Sequence, residues 1–286
     1  MSVIDLSTVT SQIQKFWAPL FEKELRETIL LPGLVSRDYE GELKQGGDTV
    51  YVSEVVAPTA ERRTIGTDAD SFSSQALTLT RIAITADQRI VASFELQDLV
   101  KLQSQISEDK SDIRDALRFA VEKSLNDYLY DNIVSPSASS PDHILNSVST
   151  FSKTEMALIR QKAGEAKWMR NKPWYLLLSP KYAADAGIDT ILANADYTNR
   201  ADTPVVNGNF GVPRMGFNIF EDNSRSGSYG LAFHPDFCHL VRSAPVFELS
   251  SLHSQKKFGY VLSVNFWCGA KLGNQGSSKH MKVIST

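Results

Sequence analysis

Residue types that bind metal ions occur close together in one segment of the chain, where Cys238 and His239 follow His234. Thiolate and imidazole groups are the usual protein ligands of zinc, and a fourth ligand such as His253 would complete a tetrahedral site. The spacings of four and five residues fit a helix poorly, because Pro235 comes directly after the first histidine. We favour the alternative interpretation, a turn that begins at His234 and enters a strand, with the cysteine buried and both histidines hydrogen-bonded.

Charged residues cluster in a polar segment of the first third of the chain. Arg62 and Arg63 could bind a phosphate group, or a carboxylate of another protein, through their guanidinium groups. A solvated loop accounts for the same pair of arginines equally well. Asp68 and Asp70 lie in the same segment, and neighbouring acids on loops are usually solvated. The acids therefore indicate no catalytic pair.

Sequence templates for common cofactors and catalytic groups are absent. No glycine spacing matches a dinucleotide-binding loop or a P-loop, no serine stands in a nucleophile elbow, and neither HExxH nor CxxC occurs. These absences make an enzyme less expected but do not exclude one, since many active sites have no local sequence motif. We expect no catalytic residue, no cofactor and no metal.

The composition is that of a chain that can bury a large core. Of its 286 residues, 42% are hydrophobic and 22% are charged, which is enough for one or two domains without support from disulfides or metals. Thirty basic and 33 acidic side chains give a net charge of -3, which disfavours nucleic-acid binding by charge alone. No apolar run approaches the roughly 20 residues that span a bilayer, and Asp5 interrupts the start of the chain. We therefore expect a protein that stays in the cytoplasm where it is made.

The only two cysteines, Cys238 and Cys268, stand among aromatic and aliphatic neighbours. Such surroundings favour buried free thiols over the disulfide framework of a secreted protein. A disulfide between Cys238 and Cys268 is the alternative, and the sequence does not decide between the two states.

Helical spacing of apolar residues predicts two helices in the first half of the chain. The first runs from about Pro19 to Leu30 and ends at Pro32 and Gly33. The apolar face of this helix and of the residues before it carries Phe16, Trp17, Leu20, Phe21 and Leu25. A single helix cannot bury this face by itself. The face must therefore pack against the rest of the protein or against a neighbouring molecule. The second helix, from about Asp112 to Tyr130, is roughly 28 Å long and is the longest rigid element.

Between these helices, alternating apolar residues predict a long hairpin from Asp48 to Ile84. The apolar positions change phase between Leu79 and Ile82, which predicts a bulge or a bend. The connection from Pro58 to Gln75 is mostly polar, and Phe72 is one of its two large apolar residues. A connection of this length without a core of its own is generally either disordered or built to bind something.

The second half of the chain has a mixed α and β pattern. Ser152 and Glu155 form a capping box at the start of a predicted helix. A second, short helix has Ser179 as its cap and Gly187 as its end. The predicted strands are Trp174–Leu178, Phe217–Phe220, Leu231–Phe233, Cys238–Val241 and a long one near the C-terminus, Tyr260–Cys268.

Four short segments follow one another in an order that is typical of one protein family. They are Phe16–Phe21 (FWAPLF), Leu34–Val52 (LVSRDYEGELKQGGDTVYV), Gly208–Asn223 (GNFGVPRMGFNIFEDN) and Gly230–Pro235 (GLAFHP). Together with the elements between them, they resemble the major capsid proteins of tailed bacteriophages with the HK97-type fold. Each match is weak alone, but the resemblance covers essentially the whole chain.

This resemblance implies an α+β, HK97-like capsid fold with four parts. They are an N-arm over residues 1–35, an extended E-loop hairpin over 48–84, a mixed α/β A-domain over 136–245, and a P-domain, with a long spine helix and a β-sheet, over 36–47, 85–135 and 246–286. The arm, the hairpin and the hairpin tip have surfaces that a single chain cannot bury. The resemblance implies that these elements bind neighbouring subunits, as they do in this family.

The resemblance also implies a function. It is that of a non-enzymatic major capsid protein that self-assembles as hexamers and pentamers into an icosahedral head shell around phage double-stranded DNA, without sequence-specific contact to that DNA. Such a protein is assembled in the host bacterial cytoplasm, belongs to the virion capsid, contacts no membrane, and works with a portal protein. The candidate subunit-interface residues are Arg62, Arg63, Asp68, Asp70, Phe72, Phe16, Trp17, Leu20 and Phe21.

The sequence departs from the family in two places. Some members crosslink subunits through a lysine of the E-loop, but the segment from Ala57 to Ala76 contains no lysine, so we expect no crosslinks. Others carry a long scaffolding extension before the arm, which here begins almost at Met1. We therefore expect a separate scaffolding protein or a removed propeptide. Two alternatives remain at this point, an encapsulin-like shell around protein cargo and an α/β enzyme whose site lacks local motifs.

Overall fold

The structure, a computed structural model, describes residues 25–42, 48–62, 74–97, 111–134, 144–145, 147–189, 192, 213–252 and 258–285. Within these residues the chain forms three β-sheets and four α-helices, and the predicted α+β class is confirmed. The helices are α1 (Leu31–Leu34), α2 (Ser111–Tyr128), which continues as a π-helix (Leu129–Val134), α3 (Lys153–Glu165) and α4 (Pro180–Ile188).

Eleven strands have described bounds. They are β1 (Thr49–Val55), β2 (Leu79–Thr85), β3 (Gln88–Gln97), β4 (Ile144–Leu145), β5 (Trp174–Leu178), β6 (Phe217–Glu221), β7 (Tyr229–Phe233), β8 (Cys238–Arg242), β9 (Val246–Ser251), β10 (Gly259–Leu272) and β11 (His280–Ile284). The five strands predicted in the second half of the chain are confirmed within a few residues. Strands β3, β4, β9 and β11 were not predicted.

The first core lies between α2 and a four-stranded sheet, in which β10 pairs with β3, β8 and β9. Residues four apart lie on one face of a helix, and alternate residues lie on one face of a strand. The helix accordingly buries Leu117, Val121, Leu125 and Leu129, and β10 buries Leu262, Val264, Phe266 and Cys268. The long helix predicted from Asp112 to Tyr130 is therefore confirmed.

The second core lies between helices α3 and α4 and a five-stranded sheet in the order β4-β11-β7-β5-β6. The predicted capping box is confirmed, because the Ser152 hydroxyl accepts from the Thr154 backbone N–H and the Glu155 carboxylate accepts from the Ser152 backbone N–H. At the start of α4, the Ser179 hydroxyl instead donates to the Gly227 carbonyl at 2.6 Å and makes no cap bond.

The strand pairing differs from the predicted division of the chain at two strands. β11 was assigned with residues 246–286 to the sheet of the long helix, but it pairs with β7 and β4 in the five-stranded sheet. β8 was assigned with residues 136–245 to the other part, but it pairs with β10. Partner strands are chosen by contacts between residues far apart in the chain, which a local pattern does not record.

The predicted hairpin is confirmed, but the predicted bulge is wrong. β1 and β2 pair without interruption, from Thr49 opposite Thr85 to Val55 opposite Leu79. The apolar pattern changes phase because both faces of the hairpin carry apolar residues. Ile82 and Ile84 point toward the body of the protein, and Leu79 points away from it.

The predicted N-terminal helix is wrong over the part that the structure describes, since residues 25–30 are not helical. Pro32 does not end a helix but lies in the first turn of α1, where its missing N–H is tolerated. Leu25, expected on the buried face, is 99% exposed. The rest of that prediction, before residue 25, lies outside the described residues.

Among the described residues, no helix is both long and apolar enough to cross a membrane.

A methyl group at Gly269 should destabilise the fold, because strand β10 passes the end of the hairpin at this residue. A Cβ atom there would lie 2.1 Å from the Thr85 carbonyl oxygen and 2.9 Å from the Ala86 Cα. We expect G269A to lower the free energy of unfolding by about 1–3 kcal/mol, the usual cost of overpacking. Urea denaturation measures this. G164A on α3 is the matched control, since a Cβ there meets no atom within 4 Å and alanine favours a helix. A G269A protein as stable as the unchanged chain would contradict the packing described.

The two cysteines should make the free energy of unfolding decrease at alkaline pH. Both are buried free thiols, and burial raises the pKa of each from 9.0 to about 12. Between pH 9 and pH 12 the thiols of the unfolded chain are ionised while those of the folded chain are still protonated. The free energy of unfolding is therefore unaffected below pH 9 and decreases as the pH rises toward 12. We expect about 1 kcal/mol less stability per thiol at pH 10 than at pH 8. The C238A/C268A double variant should show a shallower pH dependence in denaturant melts, and an equally steep one would refute the assignment.

Candidate interaction surfaces

The segment with metal-binding residue types forms the turn that we favoured. The His234 Nδ1 atom accepts from the Asp236 backbone N–H at 3.2 Å, and its Nε2 atom lies 3.2 Å from the Asn171 side-chain oxygen. Cys238 begins β8 with its side chain fully buried. The described residues contain no group of three metal-ligand types placed to hold an ion, and His253 lies outside them. The interpretation as a turn entering a strand is therefore confirmed.

The charges beside this turn form a structural network. The Lys172 ammonium group lies 2.9 Å from the Asp38 carboxylate and 2.9 Å from the Asp236 carboxylate. The hydrogen bond to Asp236 raises the pKa of Lys172, and the hydrogen bond from Lys172 lowers the pKa of Asp38. The network joins the segment after α1, the loop before β5 and the turn before β8. These ion pairs therefore connect three segments of the fold, and all three side chains are partly exposed.

Of the nine candidate interface residues, Arg62 alone lies within the described residues, and it is exposed beyond the end of β1. The other eight lie outside: Arg63, Asp68, Asp70, Phe72, Phe16, Trp17, Leu20 and Phe21. Their expected role as interface residues stays a prediction.

The hairpin is anchored to the body at its base. Val50 and Ile84 pack together there against Val241 of β8. The Asn274 amide donates to the Glu54 carboxylate near the end of β1. Beyond the strands, the Gln75 side chain bridges to the Thr59 backbone, accepting from its N–H at 2.9 Å and donating to its carbonyl at 3.2 Å. The hairpin therefore leaves the body in a defined direction and keeps its two chains paired past β1 and β2.

One face of the hairpin points away from the body and is apolar. We call it the outward hairpin face, and it consists of Tyr51, Val55, Leu77 and Leu79, which are between 56% and 71% exposed. The Arg81 guanidinium lies over the Tyr51 ring at 4.4 Å. Exposed apolar groups that cluster in this way mark sites of contact with another molecule. This face was not predicted from the sequence, although the phase change of the apolar pattern at Leu79 was a signal of it.

The described part of the arm lies along helix α2 of the same chain. Glu27 forms an ion pair with Lys123 at 3.0 Å, and the Arg26 guanidinium lies 5.0 Å from the centre of the Phe119 ring. The Thr28 backbone N–H donates to the Asn223 side-chain oxygen at 2.6 Å. These contacts of residues 26–28 are mostly polar and leave a broad cavity of about 380 Å³ between the arm and the helix. The end of the arm is held more firmly, because Leu31 and Val35 are buried in the first core.

A polar joint connects the end of helix α2 to the loop that follows β6. The Tyr130 hydroxyl donates to the buried Asp222 carboxylate at 2.5 Å, and the Asn126 amide donates to the Ser224 hydroxyl at 3.2 Å. The Arg225 guanidinium lies over the Tyr130 ring at 4.2 Å. Burial, followed by the nearby Asp222 charge, raises the pKa of Tyr130 well above its ordinary value, so the phenol remains a hydrogen-bond donor. The joint fixes the two cores against each other.

No protein-family model matches this sequence, and no curated protein matches it. Solved structures do match it over nearly its full length. A structure from Mycobacterium phage Che8 has 19% sequence identity and a TM-score of 0.74, and the match covers 96% of this chain and 97% of that one.

Two further matches carry the word capsid in their descriptions. The capsid structure of cyanophage P-SCSP1u has 12% identity and a TM-score of 0.73, with 96% of this chain and 94% of that chain covered. The capsid asymmetric unit of cyanophage Pam1 has 12% identity and a TM-score of 0.66, with 98% of each chain covered. At these identities the similarity is one of fold. This chain therefore has the fold of phage capsid structures over nearly its whole length.

Proposed function

We propose that this protein is the major capsid protein of a tailed bacteriophage, with the HK97-type fold, and that it self-assembles into the icosahedral head shell around double-stranded DNA. The observation that carries the proposal is the match to two cyanophage capsid structures, at TM-scores of 0.73 and 0.66 over 96% and 98% of the chain. A fold by itself does not define a function. The proposal therefore also needs surfaces that a single subunit leaves unused.

The outward hairpin face is such a surface. It presents four large apolar side chains to solvent, three on the sheet of β1 and β2 and Leu77 just before β2. Covering one such side chain contributes roughly 1.5–3 kcal/mol. A closed shell repeats each contact in every subunit, so contacts that are modest one by one hold the assembly together.

The proposed parts follow the family resemblance. Residues 1–35 form the arm and 48–84 the E-loop, and both reach neighbouring subunits. Strands β8 and β11 pair in a different sheet from the one that this division predicts. Arg62 or Arg63 pairs with an acidic group across a subunit boundary, since a guanidinium group can bind a carboxylate through two parallel hydrogen bonds. Hexamers and pentamers form in the host cytoplasm with a separate scaffolding protein and a portal protein.

Electron microscopy of the purified protein, expressed alone and in infected cells, tests this function. Closed shells of uniform size, filled with DNA when they come from infected cells, are the expected result. Shells that contain protein cargo and no DNA would point to an encapsulin-like compartment. A monomer that never forms shells under any condition, including with phage lysate proteins added, would overturn the proposal.

Charges on the outward hairpin face should block assembly. In the V55D/L79D variant, two facing side chains of this face become carboxylates, which cannot be buried against a neighbour without a partner. We expect a folded monomer, because both residues are exposed, and at least a tenfold rise in the protein concentration needed for shells. Light scattering and circular dichroism measure the two effects. L158D is the control, since Leu158 is 41% exposed on α3, away from the hairpin. Normal assembly of V55D/L79D would remove this face from the interface.

Mature shells should contain no covalent bonds between subunits. The reason is the absence of lysine from the segment between Ala57 and Ala76, which leaves no amine at the hairpin tip to attack a side-chain amide. We expect shells boiled in detergent and reductant to give a single band near 31.7 kDa. A ladder of multimers that survives this treatment would refute the prediction.

A further inference from the structure

His234 is a buried histidine whose ring holds a tight turn together. It comes directly before the 3₁₀ turn Pro235–Phe237 and caps it, because its Nδ1 atom accepts from the Asp236 backbone N–H at 3.2 Å. Its Nε2 atom lies 3.2 Å from the Asn171 side-chain oxygen. That oxygen can only accept, so Nε2 carries the proton of the ring. The side chain is 3% exposed, and the turn requires His234 in its neutral form.

A second proton on this ring is incompatible with the cap. It can enter only at Nδ1, where it would face the Asp236 N–H, and two donors form no hydrogen bond. The Asp236 carboxylate lies 3.7 Å from Nδ1, but its other oxygen is 2.9 Å from the Lys172 ammonium group. Burial lowers the pKa of His234, and the Asp236 charge opposes this effect. The charges of Lys279 and Lys172 lower it further.

The capped turn holds the segment between α1 and the hairpin, residues 36–42, which we call the link segment. The Pro235 carbonyl accepts from the Ser36 backbone N–H at 3.1 Å, and the Leu240 N–H donates to the Ser36 carbonyl at 2.9 Å. The two ion pairs of Lys172 join the same turn and the same segment. A change in the turn therefore acts directly on the attachment of the link segment.

A second histidine lies at this attachment. The His239 Nδ1 atom is 3.3 Å from the Ser36 hydroxyl, which donates to the Asp38 carboxylate at 2.9 Å. The His239 ring meets the Tyr39 ring edge-on, with the two centres 5.3 Å apart. Burial is the main influence on His239 and lowers its pKa. The charged groups that face this ring are those of Asp236, Lys279, Asp38 and Lys172.

We propose that His234 is a pH-sensitive switch that releases the link segment when the solution becomes acidic, and that His239 adds to the effect. In the open turn the ring of His234 reaches water and takes up a proton near its ordinary pKa of about 6.5. In the closed turn burial keeps the ring neutral at that pH. Lowering the pH below about 6.5 therefore favours the open turn, by up to about tenfold per pH unit for each histidine that stays neutral in the closed turn. Above that pH the closed turn keeps its full stability.

Release of the link segment would act on the two elements that it connects, the arm and the hairpin. On the proposed function, these are the elements that reach neighbouring subunits, so an open turn would alter contacts in the shell. That consequence rests on the proposed function. The opening itself is a property of a single chain.

Hydrogen exchange of the full chain at pH 7 and pH 5.5 tests the inference, with each rate divided by the intrinsic rate at the same pH. The amides of Ser36 and Leu240 report on the attachment of the link segment. We expect their protection to fall roughly three- to tenfold at pH 5.5. The amide of Leu176 in the second core is the internal control and should keep its protection, because Leu176 is fully buried in β5.

The H234N variant separates the titration of the ring from its role as a cap. The asparagine oxygen can accept from the Asp236 N–H as Nδ1 does, and asparagine is a good capping residue that does not titrate. We expect H234N to keep the protection of Ser36 and Leu240 at pH 7 and to lose most of its dependence on pH. H239N is the matched variant and should keep the larger part of that dependence.

Two exchange results would overturn the inference. They are equal protection of the link segment at both pH values in the unchanged chain, and a pH dependence of H234N as steep as that of the unchanged chain. If H234N does not fold, an NMR titration of the imidazole groups in the unchanged chain decides. A His234 pKa below 6.5 supports the switch, and one above 6.5 contradicts it, because acid would then tighten the turn.

These measurements do not depend on assembly. A chain that forms no shells would overturn the proposed function, while the exchange of Ser36 and Leu240 would still decide whether His234 controls the link segment.

Discussion

Strand β10 is the element on which the rest of the structure depends. It is 14 residues long and pairs with β3 along one edge and with β9 and β8 along the other. Its alternate side chains, from Leu262 to Cys268, form the floor on which helix α2 lies. Segments that are more than 150 residues apart in the chain therefore meet on one strand. The close passage of Gly269 against the Ala86 backbone also sets where the hairpin leaves the body.

The molecule combines well-packed cores with surfaces that it does not cover itself. The two cores bury large aromatic and aliphatic side chains completely, among them Phe151, Phe217, Phe233 and Phe266. The outward hairpin face, in contrast, leaves apolar groups in water. Burial in the cores supplies the stability of the chain, and the outward hairpin face supplies little to it.

Polar groups between the cores have a different purpose. At the joint, the Tyr130 hydroxyl donates to the Asp222 carboxylate, and the Arg225 guanidinium lies over the Tyr130 ring. A joint with matched partners holds one geometry, because any displacement would leave a buried polar group unsatisfied.

The sequence by itself determined the elements whose signals are local. The capping box of Ser152 and Glu155, the apolar stripe of α2 and the buried strand Trp174–Leu178 depend on residues a few positions apart, and periodicity reports them directly. Only the tertiary structure decided the partners: β11 joins the sheet of β7, β8 joins β10, and Leu79 faces solvent. It also decided that Arg214 is buried. These outcomes depend on contacts between distant segments, and a residue's type and spacing carry no record of what the rest of the chain brings beside it.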